Sequence, residues 1–158
     1  MPFDREQIRQ KVAELAEQGV FIGTSSWKPT RREQLEAENE LFGFTVSGHP
    51  LELYDNVDWA SCCPVSELGN HIGQTVVTCG LVVEQRTHHQ ITGEPMKFLT
   101  IADWTGLAES ELFAHTYKSY GLATVRYPVL EVTAIVESFE NGRGHSLRAL
   151  RAGKPRIK

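Results

Sequence analysis

The second half of the chain constrains its fold more than any other part. From about Gln74 the sequence breaks into five runs of strand character, with one short helical or irregular link between the third and the fourth. The first run, Val76 to Val83, is dense in β-branched residues, which suit a pleated, half-buried surface, and Gly80 lies at its middle, where the strand is expected to bend. The turn-rich stretch His88–Pro95 leads to a second run, Met96–Asp103. Trp104-Thr105-Gly106 then connects tightly to Leu107–Phe113, in which Ala108, Ser110 and Leu112 alternate with Glu109 and Glu111. His115–Leu122 is the link. Pro128 opens a strand through Phe139, Glu140–Gly144 supplies a hairpin turn centred on Asn141-Gly142, and His145–Ala152 is the last strand.

Five strands with a helix between the third and fourth is the order of an OB-fold, a small Greek-key barrel that binds oligonucleotides on its second and third strands and on the loops joining strands one to two and four to five. An SH3-like barrel is the main rival, but it lacks the obligatory link between strands three and four. The first 60 or so residues read as helix and loop. Asp4 with Gln7 forms a capping signature, after which Ile8, Val12, Leu15 and Ala16 recur at helical spacing until Gly19. Thr30 with Glu33 repeats the signature, and the segment through Phe42 carries a thin apolar stripe of Leu35, Leu41 and Phe42 before Gly43. The expected class is therefore mainly β: a five-stranded OB-fold Greek-key barrel over residues 71–155, a helical arm over 1–70 and a basic tail at 156–158.

Length and composition agree. At 158 residues the chain has room for one domain and an arm, and its 41% hydrophobic and 23% charged content is ordinary for a core-forming protein. The longest apolar run, Val76–Val83, is far shorter than the roughly 20 residues a membrane span requires. The charged start, Met1 to Glu6, lacks the basic-then-apolar order of a secretory signal, so a cytoplasmic location without membrane partners is expected. Cys62, Cys63 and Cys79 lack the paired spacing of a zinc module and read as reduced thiols, Cys79 buried in its strand. The net charge of −4 is unevenly spread, −6 over residues 1–70 and +2 over the remainder, and from Arg143 onward six basic residues stand with no acidic one. A local basic region of this kind can meet phosphates although the chain as a whole is acidic.

Alternation divides the second strand into two faces: Leu99 and Ile101 point into the barrel with Lys97 on their side, and Phe98 and Thr100 point outward. An outward aromatic can stack a base or pack beneath the arm. Trp104, Tyr117 and Tyr120 are either a stacking set or the plug that closes one barrel end, with the plug favoured for the tyrosines. Arg86, His88, His89 and Lys97 surround the first long loop, and Arg143 and Arg148 belong to the last hairpin, so these cations flank the groove expected to hold a strand. Glu109 and Glu111 face the same surface and repel phosphate. His49, His71, His88 and His89 are too dispersed for a metal site, and no cofactor or catalytic residue is expected. Ser47-Gly48-His49 lacks the elbow of a hydrolase nucleophile, His49-Pro50 fixes a turn, and the Asp103 side chain caps the turn before Gly106.

Several motifs resemble a known family. The segment Glu40-Leu41-Phe42-Gly43-Phe44-Thr45-Val46-Ser47-Gly48-His49-Pro50-Leu51 is similar to one preceding the OB domain of the alpha subunit of bacterial DNA polymerase III. Gly80–Glu84, Thr92–Gly106 and Glu111-Leu112-Phe113 are similar to strands of that OB domain, and the resemblance runs from about Arg32 to Pro155. It implies a C-terminal piece of a replicative polymerase whose OB domain contacts single-stranded DNA near the enzyme, with the metal-holding catalytic acids lying far upstream. It also implies the remainder of the polymerase, or other replisome proteins, as partners. Gln18-Gly19-Val20-Phe21 is at best a degenerate echo of that family's clamp-binding peptide. A protein-docking module, favoured by Phe21, Ile22 and Trp27 and by the acidic third strand, is the rival reading.

Overall fold

The computed structural model describes residues 5–19, 29–139 and 142–158. Its sheet is built from β1 (Thr75–His89), β2 (Pro95–Ala102), β3 (Leu107–Leu112), β4 (Val129–Phe139) and β5 (Gly144–Gly153). The strands close in the order β1-β2-β3-β5-β4, with β4 returning to β1. All pairings are antiparallel except β3 with β5, where Ser110 meets Leu147 and Glu111 meets Arg148. A closed five-stranded sheet with that single parallel seam, and with helices α3 (Ala114–Tyr120) and α4 (Ala123–Arg126) between β3 and β4, is the expected OB-fold.

Alternation fills the interior. Leu99, Ile101, Leu112, Leu130, Val132, Ala134, Val136 and Leu147 are fully buried, and Tyr117 and Tyr120 of α3 pack against this core. Two features of β1 differ from the sequence expectation. The strand runs on through His89, because residues 84–89 pair with Pro95–Thr100 and leave only a short turn from Gln90 to Glu94. The irregularity in its pairing lies between Val82 and Glu84, not at Gly80. Gly80 serves close approach instead: a Cβ there would sit 2.8 Å from the Ile101 Cβ.

The arm holds α1 (Arg5–Glu17) and α2 (Arg31–Phe42), then three short 3-10 turns at Pro50–Tyr54, Trp59–Ser61 and Val65–His71. The capping box of α2 forms as expected, the Thr30 hydroxyl accepting from the Glu33 amide at 3.3 Å and the Glu33 carboxylate from the Thr30 amide at 2.8 Å. Gly43 ends the helix at φ +76°. Of the expected stripe only Leu35 is buried. Leu41 and Phe42 are largely exposed, the Phe42 ring meeting that of Phe44 at 6.0 Å in the loop that follows. The cap at Asp4, the segment with Val20, Phe21, Ile22 and Trp27, and the turn residues Glu140 and Asn141 lie outside the described residues, as do the side chains of Ile8, Val12 and Ala16.

The end of the arm is joined to the barrel at many points. Val65 and Leu68 enter the barrel core. The Cys63 amide donates to the Val77 carbonyl at 2.7 Å, and the Thr78 hydroxyl donates to the Cys63 carbonyl at 2.9 Å. Cys62 and Cys79 are joined in a disulfide with Cα atoms 5.8 Å apart, which corrects the expectation of three reduced thiols: the 3-10 turn at Trp59–Ser61 lays Cys62 directly over β1. Cys63 is the free thiol. The basic tail is also engaged, since the Asp58 amide donates to the Arg156 carbonyl and the Lys158 amide to the Asn56 carbonyl.

Candidate nucleic-acid interface

The outer face of β1, β2 and β3 gathers several of the residues named from sequence. Arg86, Phe98, Glu111 and Arg148 pair in succession across β1, β2, β3 and β5, so their side chains form one row on the outside of the barrel. Thr100 lies in the next row, paired with Glu84 on one side and Glu109 on the other. Arg86, Thr87, His88, Phe98 and Glu109 line a groove of about 360 Å³. Phe98 is half-buried there, and His89 is exposed at the strand's end opposite Pro95.

Other named residues lie elsewhere. Lys97 is 5% exposed, with its ammonium against α3 and α4, donating to the Thr124 hydroxyl at 2.7 Å and 5.9 Å from the Tyr117 ring centre. It shares the inward face of Leu99 and Ile101, and that placement removes it from the groove. Burial pushes its pKa below the ordinary lysine value. Trp104 stacks on the His49 ring at 4.7 Å and meets Trp59 edge-on at 6.4 Å, so it belongs to the junction between arm and barrel. Arg143 is exposed beside the β4–β5 turn, away from the row containing Phe98.

Electrostatically the outer face is mixed. Arg86 Nε lies 3.3 Å from a Glu84 oxygen and Arg148 Nε 2.5 Å from a Glu137 oxygen. Burial, then the charges of Glu137 and Glu109, raise the pKa of Glu111. Both arginines thus have carboxylate partners on a face that carries Glu84, Glu109, Glu111 and Glu137.

Two turns behave as their residues predict. The Asp103 Oδ1 accepts from the Thr105 and Gly106 amides at 2.7 and 3.0 Å, and its Oδ2 accepts from the Val65 amide at 2.8 Å, tying the arm to the β2–β3 turn as well. His49 caps the turn opened by Pro50, its Nδ1 accepting from the Leu51 amide at 3.2 Å. Sequence reasoning did not find the cluster of Cys62, Cys79 and Glu131, whose ligand atoms lie within 4.8 Å of one another. The residues are distant in sequence, and the two sulfurs bond to each other rather than leaving thiolates for an ion.

Over 120 residues, 72% of this chain, the sequence is 27% identical to the DNA polymerase III subunit alpha of Aquifex aeolicus. The chain is similar to DNA polymerase III subunit alpha. The Thermus aquaticus subunit is 29% identical over 73% of the chain, and the Pseudomonas aeruginosa subunit is 29% identical over 56%. The chain spans only 10%, 8% and 10% of the lengths of the Aquifex, Pseudomonas and Thermus alpha subunits. No protein-family model matches the chain. Among solved structures, asparaginyl-tRNA synthetase from Pyrococcus horikoshii has a TM-score of 0.46 at 16% identity, covering 61% of this chain and 23% of that one. RecG bound to a three-way DNA junction has a TM-score of 0.46 at 15% identity, covering 98% and 23%. Among the described residues no helix is long and apolar enough to cross a membrane.

Proposed function

We propose that this chain is a single-stranded nucleic-acid-binding module of a replicative polymerase alpha subunit, positioning template DNA while the nucleotidyl-transfer chemistry belongs to other parts of that enzyme. The observation that carries the reading is the coincidence of a closed five-stranded barrel with sequence similarity to DNA polymerase III subunit alpha over 72% of the chain. The outer face supports it: Phe98 offers a ring for base stacking, worth about 1–3 kcal/mol per base, Arg86, His88 and Arg148 stand beside it, and His89 lies at the end of the strand. Thr100 offers a hydroxyl in the neighbouring row. The carboxylates set affinity low, because Arg86 and Arg148 must each leave one to meet a phosphate. Anisotropy titration of labelled oligo-dT against a duplex of equal length tests the reading at low salt. Tighter binding of the single strand supports it; equal or tighter binding of the duplex contradicts it.

Docking to the remainder of the polymerase, or to another replisome protein, is a second reading favoured by one surface. Phe44 and Val83, both more than half exposed, border a groove of about 470 Å³ between the loop after α2 and β1, and Phe42 and Val46 stand exposed beside it. Retention of a purified polymerase fragment lacking this module, undiminished by nuclease and abolished by Phe44→Asp, is the result that favours it.

A further inference from the structure

A second surface, on another side of the barrel, offers what the outer face lacks. The start of β4, the residues after β5 and the arm near Tyr54 converge on a groove of about 140 Å³ whose walls include Tyr54, Asn56, Tyr127, Pro128, Lys154 and Pro155. The pairing of Glu131 with Gly153 brings Lys154 to the beginning of β4. The Arg126 guanidinium lies over the Tyr127 ring, 5.7 Å from its centre. An arginine held over a tyrosine gives a flat cation-aromatic platform, the type of surface on which bases stack.

Charge distinguishes this seam from the outer face. Arg126 and Lys154 are exposed and form no ion pair among the described residues, whereas Arg86 and Arg148 both do. The carboxylates closest to the seam in sequence are engaged: Glu131 lies 3.5 Å from Arg156 and Asp55 lies 3.6 Å from Arg32. Arg151 and Lys158 add positive charge on the adjoining strand and tail, also without ion pairs among the described residues. A phosphate arriving here displaces no carboxylate.

We propose that the seam between Tyr127, Lys154 and the arm is a second contact surface for single-stranded nucleic acid, with Arg126, held over the Tyr127 ring, and Lys154 meeting phosphates. This rests on the reading of the chain as a single-strand binder. The test is the affinity of the full chain for labelled oligo-dT across a salt series, comparing wild type, Arg126→Ala/Lys154→Ala and a control of equal charge loss, Lys11→Ala/Lys118→Ala, with thermal melts verifying that each is folded. The seam pair is expected to weaken binding about tenfold and to flatten the slope of log affinity against log salt by about 1.4, which is two contacts at roughly 0.7 each. The control is expected to stay within about threefold of wild type, and Lys154→Arg to retain most affinity, since arginine also meets phosphate. A seam pair that binds no more weakly than the control overturns the proposal. A wild-type chain that binds no oligo-dT overturns the single-strand reading and the seam with it.

Discussion

Lys97 illustrates what a single residue can and cannot disclose. Its strand parity placed it with Leu99 and Ile101, and the structure buries it there; its positive charge had suggested a phosphate contact, but charge carries no information about which side of a strand faces water. The ammonium has a hydroxyl partner in Thr124 and no carboxylate among the described residues. Lys97→Met is therefore expected to stabilise the fold by about 1 kcal/mol at neutral pH, since an apolar chain of similar length avoids desolvating a charge. Because the folded-state pKa lies below 10.5, the penalty is fully present below that lowered value and is relieved as pH rises toward 10.5. Thermal melts of the two proteins should accordingly converge at high pH; a constant gap, or a less stable methionine variant, contradicts this origin. Asp103 was legible for the opposite reason. A carboxylate three residues before a glycine is a local signature, although its further bond to Val65 connects residues too far apart in sequence to be read.

At the scale of elements, strands and caps were legible because their signals are local. β-branched density marked β1, Pro128 and the Asn141-Gly142 turn bounded β4, parity marked the core of β2 and β3, and Thr30 with Glu33 marked the start of α2. Where a strand stops pairing was not legible: residues 84–89 look like a loop, and only the partner β2 makes them a strand. Gly80 was correctly singled out but for the wrong cause. Gly80→Ala should cost about 1–3 kcal/mol by overpacking, because the new Cβ meets Ile101 at 2.8 Å and the Ala102 backbone at 3.2 Å. An unchanged denaturation midpoint would mean that β2 yields without cost. The loop after α2 has a pH signature. Hydrogen bonds from the Ser47 hydroxyl, then its amide, hold the Glu38 carboxyl at about 2 instead of 4.5. That contribution is present above pH 4.5 and is lost as pH falls toward 2, so Glu38→Gln should melt earlier than wild type at neutral pH and converge with it in acid. A gap that persists at low pH contradicts the assignment.

Over the whole molecule, strand order was enough to name the barrel, but the way the arm joins it was hidden. The Cys62–Cys79 disulfide, the entry of Leu68 into the barrel core and the pairing of Asn56 and Asp58 with the tail all join segments far apart in sequence. For the same reason the basic tail proved to be docked on the arm at Arg156 and Lys158 instead of free. Within the basic second half the cations divide in space: the outer face of β1–β3 pairs Arg86 and Arg148 with carboxylates, and Arg126 and Lys154 at the seam form no ion pair among the described residues. Single-strand binding by this barrel is tested most directly by the salt dependence of oligo-dT affinity for the full chain. A straight fall of log affinity with log salt, at about 0.7 per phosphate neutralised, is the expected result. No binding with about tens of micromolar protein at low salt, or binding indifferent to salt, contradicts it.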